Sequence, residues 1–396
     1  MFISDLASRR ECLIGFGASA AEVEELLIYN HNGFQREAAP GGALPQLDSE
    51  AHVADWTRYQ AEAAQIGNWL ALRSRLVQFQ FPVQAGISKT GNYLAATRRG
   101  ALTDQMAEAS GLLLQQPDDL SLTIHATIAG AIPVIIAGCR SDFVMLVQAL
   151  TRRNEPEIIP DSMGAVIIGG YNNWDRVRQY RQAWTLLQTG AVSEEDWQAE
   201  FQCLIPQKSL YQDRFILLSR GAYSAVPAAA LGLTEADWLM RSLVLRLEHE
   251  ACHYFTRRMF GSMRNNALDE LIADYQGIVG ANGNAYRADW FLHFVGLESF
   301  PAYRAGGRLE NYLGSPPLSA GAVVILQGLV KAAAEGLERF NRQHLSELQS
   351  QQQKYALLGL LTCFTLEELV IDQGRLLEQA WGLAKVARAE QGAPGL

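Results

Sequence analysis

No C-x-x-C pair occurs in the chain, and its five cysteines (Cys12, Cys139, Cys203, Cys252 and Cys363) are scattered and odd in number. That pattern argues against a disulfide framework and against a cysteine-built zinc knuckle. Lysine is sparse beside arginine, with none between Lys208 and Lys331, which reads as a composition bias rather than a functional choice. The opening stretch MFISDLASRRECLIGFG lacks a basic start followed by a long apolar run, so no secretion signal is expected. No uninterrupted apolar run reaches the roughly 18 residues that span a bilayer. Gly169-Gly170 completes neither a G-x-G-x-x-G nor a P-loop pattern, and no nucleotide site is assigned. Excess positive charge is also missing. The net charge of -9 argues against a nucleic-acid partner, whose footprint is basic, and gives no attraction to an anionic membrane. These absences together predict a soluble, reduced, cytoplasmic protein.

At 396 residues, with 48% hydrophobic and 19% charged side chains, the chain has ordinary globular composition and the length of two domains. Ser19 to Asn30 has a serine start, early acids and an apolar stripe, as a helix does. A Gly/Pro-rich loop over residues 39–49 precedes a predicted helix from Ala51 to Leu76. LVQFQFPV (Leu76 to Val83) alternates like a strand, LSLTIHAT and IPVIIAG between Leu120 and Cys139 carry stronger strand signals, and GAVIIGG (Gly164 to Gly170) adds another. Helices are predicted over Ser141 to Arg153, Asn173 to Leu187 and the segment after Ser193. RFILLSR (Arg214 to Arg220) is a further short strand. Beyond it the pattern is mostly helical: a helix capped by Thr234 runs to about Arg258 and a second spans about Ala267 to Gly280, then come the segment Trp290 to Leu297, a Gly/Pro-rich loop to Pro317, and long helices near Ala320 to Ser350 and Lys354 to Arg388. The expected fold is α+β. A mixed α/β region over residues 1–190 precedes a mainly helical, zincin-like catalytic domain over 191–396.

The chemistry concentrates in Leu245 to Ala281, LRLEHEACHYFTRRMFGSMRNNALDELIADYQGIVGA. His249 and His253 stand four apart, so on a helix they share a face and can chelate one ion. Glu250 lies about 100° round the helix, within reach of a molecule on that ion without being a ligand. A catalytic zinc keeps three protein ligands and one open position, so a third ligand is needed. Glu270 follows His253 by 270 - 253 = 17 residues, which places it on the next helix. Asp274, four residues later on the same face, can accept the remaining ring N–H of His249 and fix its tautomer.

H-E-x-x-H followed by E-x-x-x-D resembles the gluzincin, or thermolysin-like, branch of the zinc metallopeptidases over about Leu245 to Gly280. The resemblance implies His249, His253 and Glu270 as zinc ligands, Glu250 as general base and Asp274 as the outer carboxylate. Asp269 stands where the family has asparagine, so Asp269 and Glu270 both compete to face the ion, with Glu270 preferred. The resemblance also implies an upstream edge strand that takes peptide by strand addition, for which RFILLSR is the candidate. It further implies a downstream group that stabilises the oxyanion, for which His293, Tyr303, Tyr312 and a cationic Arg308 are candidates. Isolated His31, His52, His125 and His344 are assigned structural or surface roles, and Cys252 a packing role. The reading is a Zn2+-dependent metallohydrolase, a peptidase acting on an intracellular peptide or protein. Two alternatives share the ligand set: a non-haem iron oxygenase and a non-catalytic, metal-stabilised binding protein. Oligomeric state is not encoded in any of these features.

Overall fold

The computed structural model describes residues 6–35, 44–264 and 266–392. The first part of the predicted Gly/Pro-rich loop, residues 39–43, lies outside them. In chain order the helices are α1 (Leu6–Gly15), α2 (Ala20–Tyr29), α3 (His52–Ile66), α4 (Asn68–Arg75), α5 (Gly91–Arg99), α6 (Arg140–Thr151), α7 (Trp174–Leu186), α8 (Glu194–Leu204), α9 (Glu235–Phe260), α10 (Ala267–Ala281), α11 (Ala288–Val295), α12 (Ala320–Gln343), α13 (Gln351–Leu361), α14 (Leu366–Val370) and α15 (Arg375–Gly392). The strands are β1 (Ser121–His125), β2 (Ile132–Ile136), β3 (Ala165–Asn172) and β4 (Gln212–Leu218). The protein is α+β: mostly helical, with one small mixed sheet in its N-terminal half. Contacts divide it into a sheet-bearing unit, residues 47–221, and a helical unit made of residues 1–46 and 222–396. Residue 190, the predicted boundary, falls inside the sheet-bearing unit.

In that unit the strand order is β1-β2-β4-β3. β1 pairs antiparallel with β2, β2 parallel with β4, and β3 antiparallel with β4. The first four residues of IPVII are buried, as befits an inner strand covered on both faces. Trp56, Phe79, Phe143, Leu146, Phe215 and Leu217 form the core against the sheet. The buried Asp213 carboxylate takes hydrogen bonds from Trp56 Nε1 (2.8 Å), Asn173 Nδ2 (2.7 Å) and Arg176 Nη1 (2.7 Å). A buried charge so fully paired specifies one arrangement of α3, α7 and β4 around it.

Three sequence expectations change here. Leu76 to Val83 is not a strand: Val77–Gln80 is a 3-10 turn. Its alternation has another cause, because Leu76, Val77, Phe79 and Phe81 are buried around that turn. The carbonyls of Gln78 and Phe81 accept from Asn154 Nδ2 (2.9 and 3.1 Å) rather than from a neighbouring strand. The predicted Ala51–Leu76 helix breaks at Gly67, whose φ of 91° ends α3. Finally, RFILLSR supplies β4, an inner strand rather than an edge. β3 covers it from residue 212 to 218 and β2 from 216 to 218, while His52 Nε2 donates to the carbonyl of Arg214 at 2.7 Å. A peptide strand therefore meets β3 along one side of β4 and β2 along residues 216–218 of the other.

The helical unit is built on α9 and α10. Thr234 caps α9 through the Asp237 amide, Glu235 and Asp237 sit in its first turn, and Gly261 closes it in the left-handed region, each as the helix dipole and terminal groups require. The expected single helix from Lys354 to Arg388 is three segments. Thr365 and Glu368 form a capping box that starts α14 anew, and Asp372 and Gln373 adopt positive φ before α15. The predicted Ala320–Ser350 helix stops at Gln343. By length and composition α12 is apolar enough to cross a membrane, and half of that apolar window is buried, packed with α2, α10, α11 and α14. Beside it, Glu347 accepts from Trp381 Nε1 (3.0 Å) and Lys385 Nζ (3.0 Å) and meets His344 Nδ1 at 3.2 Å. Burial pushes its carboxyl up, but these donors outweigh burial and bring it down to about 2.

Gly277 sets the spacing of α9 and α10. A Cβ there would lie 2.8 Å from the Leu245 carbonyl oxygen, and one on Gly280 would lie 2.7 Å from Glu248 Cγ. The first contact is with backbone, so the helices must separate to admit a methyl group. Gly277→Ala is therefore expected to destabilise the protein by about 1–3 kcal/mol, the usual cost of overpacking, read from denaturant unfolding. Because the Glu347 pKa is depressed on folding, its contribution is present above the unfolded carboxyl value of about 4.3 and is lost as pH falls towards 2. The stability gap between wild type and Glu347→Gln should be widest at neutral pH and close over that acid window in unfolding curves.

Candidate metal centre

The H-E-x-x-H residues lie in the C-terminal half of α9, and Glu270 and Asp274 lie in the first two turns of α10. The start of α10 is fixed by two caps. The Asn266 side chain accepts from the Asp269 amide (3.1 Å), and the Ala267 amide donates to the Tyr29 hydroxyl (3.0 Å), which itself donates to the Tyr312 carbonyl (2.6 Å). A residue of α2 thereby holds the N-terminus of α10.

His249, Glu250, His253, Asp269, Glu270 and Asp274 are all buried. His249 Nε2 lies 3.1 Å from His253 Nε2, and the Glu270 carboxylate lies 3.6 Å from His249 Nε2 and 3.4 Å from His253 Nε2. Ligands at about 2.0–2.1 Å from a tetrahedral ion are about 3.3–3.4 Å from one another. The three side chains are thus already at coordination spacing. This His/His/Glu group could hold a metal ion.

Hydrogen bonding and charge both favour a cation at that point. His249 Nδ1 is 2.8 Å from Asp274 Oδ1, so the ring donates there and a neutral His249 presents the lone pair of Nε2 towards His253 and Glu270. Glu270 Oε2 is buried without a hydrogen-bond partner among the described residues, as are His253 Nδ1 and both oxygens of Asp269. Glu270 Oε2 is nevertheless 3.4 Å from the Arg308 guanidinium, so its carboxylate is met by ionic partners and left open to a further cation. Asp269 Oδ1 stands 3.6 Å from His253 Nδ1, on the side of the ring away from Glu270. Of the two carboxylates, Glu270 is the one grouped with His249 and His253, while Asp269 lies behind His253. Burial works against an imidazolium at His253, but Asp269 and Glu270 outweigh it and raise its pKa well above the usual value. Burial likewise opposes ionisation of Glu270, yet His253, His249 and Arg308 hold it lowered. Desolvation raises Glu250.

Of the downstream candidates, Arg308 belongs to the cluster. Its guanidinium pairs with Asp274 Oδ2, lies 3.4 Å from Glu270 Oε2, and donates to the Tyr223 hydroxyl and to Ser224 Oγ (3.2 Å). Tyr312 is buried near Glu270 and Asp274, and burial pushes its phenol up, with Arg308 opposing and Glu270 and Asp274 adding to the rise. His293 instead sits on the Asp289 carbonyl of its own helix (2.8 Å), and Tyr303 donates to the Gly307 carbonyl (2.7 Å). Neither joins the cluster through these bonds. Cys252 is buried beside the Ile272 carbonyl, and burial pushes its thiol well up, in line with packing. Tyr223 escapes sequence reasoning. Its hydroxyl is 3.0 Å from His249 Nδ1 and donates to Asp274 Oδ1 at 2.6 Å, but it lies in an irregular loop with no spacing that ties it to the motif.

A family model described as "Family of unknown function (DUF7005)" matches residues 11–373. The chain belongs to this family. The match runs through both units and includes every residue of the cluster, so the centre lies within the family's own extent. No curated protein and no solved structure matches the chain.

A ligand that binds only the folded state stabilises it by mass action, by about 2.7 kcal/mol at a hundred times its dissociation constant. A divalent metal ion at that excess is expected to raise the unfolding free energy by that amount and a chelator to reverse it. His253→Ala should abolish the response, as thermal unfolding with and without metal will show.

Proposed function

We propose that the protein is a zinc-dependent hydrolase in which His249, His253 and Glu270 hold the ion and Glu250 is the general base. The observation that carries this reading is the coordination spacing of the three side chains, with a fourth side chain, the carboxylate of Glu250, next to His249 on the same helix. Four buried carboxylates, Glu250, Asp269, Glu270 and Asp274, surround the site, and a dication offsets part of the negative charge that Arg308 leaves. A bound zinc supplies Lewis acidity, lowering the pKa of a water and polarising a carbonyl.

The protein's own residues do the rest. Asp274 fixes His249 with its proton on Nδ1. Glu250, made more basic by burial, holds the proton of the attacking water and returns it to the leaving group. The finer reading, cleavage of a peptide or protein amide bond, is supported by the gluzincin-like order of residues alone, since the inner position of β4 removes the strand on which peptide docking was expected. Arg308 meets Asp274, Glu270, Tyr223 and Ser224 through its terminal nitrogens, while its Nε has no hydrogen-bond partner among the described residues, so Arg308 and Tyr312 both stay candidates for the group that meets an oxyanion. The same His/His/Glu set suits iron, and elemental analysis of protein purified without added metal separates the two.

Glu250→Gln is expected to retain one zinc per chain and the wild-type unfolding midpoint, while hydrolysis of a mixed peptide library drops by at least about a hundredfold, the scale of general-base catalysis. Cleavage by this variant at the wild-type rate would remove Glu250 from the mechanism.

A further inference from the structure

We propose that Tyr223 is a positioning residue for His249, acting together with Arg308 through Asp274. This role rests on the metal centre proposed above and explains how one of its two histidines is held. Asp274 is fully buried, and both its oxygens are engaged. Oδ1 lies 2.8 Å from His249 Nδ1 and 2.6 Å from the Tyr223 hydroxyl, while Oδ2 pairs with Arg308. Arg308 also donates to the tyrosine oxygen. The donors therefore run in one direction, from guanidinium to phenol to carboxylate, with the imidazole N–H as the second donor to the same oxygen. A carboxylate held on both oxygens cannot rotate away from the ring, so the Nε2 lone pair stays aimed at the ion.

The tyrosine is itself gripped along one face of α9. Its amide donates to Ser242 Oγ (3.0 Å), the preceding carbonyl of Ala222 accepts from Arg246 Nη2 (2.6 Å), and its hydroxyl meets His249 Nδ1 (3.0 Å). Ser242, Arg246 and His249 follow one another at helical spacing, so a single stripe of α9 reads out two loop residues. The ring lies with Arg308 and Arg246 at 5.0 and 5.6 Å from its centroid and packs edge-on against Phe294 at 4.8 Å. Directly after it, Ser224 and Ala225 adopt φ of 51° and 55°. Two successive non-glycine residues in the left-handed region are costly, and such strain persists where surrounding contacts over-determine the backbone. A tyrosine needed only to fill space would be replaced by phenylalanine without consequence. Here the hydroxyl joins three polar groups that all bear on one ligand.

The test uses the full-length chain, zinc alone, and competition with a chromophoric chelator. Tyr223→Phe keeps the ring and removes the hydroxyl. Its zinc dissociation constant should rise about 10- to 100-fold, the usual effect of losing a partner that orients a ligand, while the metal-free unfolding midpoint stays at the wild-type value. The visible spectrum of the cobalt-substituted variant should shift, because the imidazole is reoriented. Tyr303→Phe removes a phenol from the loop that carries Arg308 without touching the cluster, and should bind zinc as the wild type does. If Tyr223→Phe does not fold, Arg308→Lys takes its place: lysine keeps the charge near Asp274 but cannot hold Asp274 and Tyr223 in one fork, and the same loss of zinc affinity is expected. Unchanged affinity and an unchanged cobalt spectrum in a folded variant overturn the positioning role alone. A wild-type chain that takes up no zinc overturns the metal centre and the role together.

Discussion

The site depends on negative charge buried between two helices that glycine allows to approach closely. Gly277 sits against the Leu245 carbonyl, and the closeness that follows puts the acids of α10 directly over the histidines of α9. Carboxylates in that position are tolerable only if ionic or hydrogen-bonded partners meet them. Asp274 has its partners in His249, Tyr223 and Arg308. Glu270 faces two imidazole nitrogens and lies 3.4 Å from Arg308 through an oxygen that has no hydrogen bond among the described residues. The same constraint that would destabilise a core without an ion makes this one receptive to a cation.

The two histidines are held unequally. His249 is fixed through Asp274 by groups from α10, from the loop at Tyr223 and from the segment at Arg308. His253 has Asp269 behind it at 3.6 Å, a distance beyond a normal hydrogen bond. One ligand is preorganised, and the other has slack. A group of this kind holds the lone pair of one imidazole in a fixed direction and leaves the second room to adjust to an ion that the three side chains could hold.

Much of this was legible in the sequence because the rules that govern it are local. The i,i+4 spacing of His249 and His253 and of Glu270 and Asp274 follows from helix geometry, and Thr234, Ser193 and Ser19 announced helix starts through their capping chemistry. Where local pattern was ambiguous, the reading failed for identifiable reasons. Leu76 to Val83 alternates in burial, yet a 3-10 turn bonded by Asn154 produces the same alternation as a strand. The strand at Arg214 was correctly found, but whether it is an edge or an inner strand depends on the order β1-β2-β4-β3, which no local signal encodes. Tyr223 carries no periodicity at all, and its importance is visible only once Ser242, Arg246 and His249 are seen to share a face.

The bond from the Ala267 amide to the Tyr29 hydroxyl joins residues on opposite sides of the sheet-bearing segment in the chain. The unit that holds the metal centre is discontinuous, made of residues 1–46 and 222–396, whereas the sheet-bearing unit is one uninterrupted stretch. On a ribosome the first helices emerge and must wait while the whole of 47–221 is made, free to complete its own core, before their partners exist. Contacts of such long sequence separation form late. The helix bearing Glu270 can be capped by Tyr29 only after residues 47–221 and the two helices that follow have been made, so the group that could hold a metal is assembled across an intervening unit rather than within one continuous stretch.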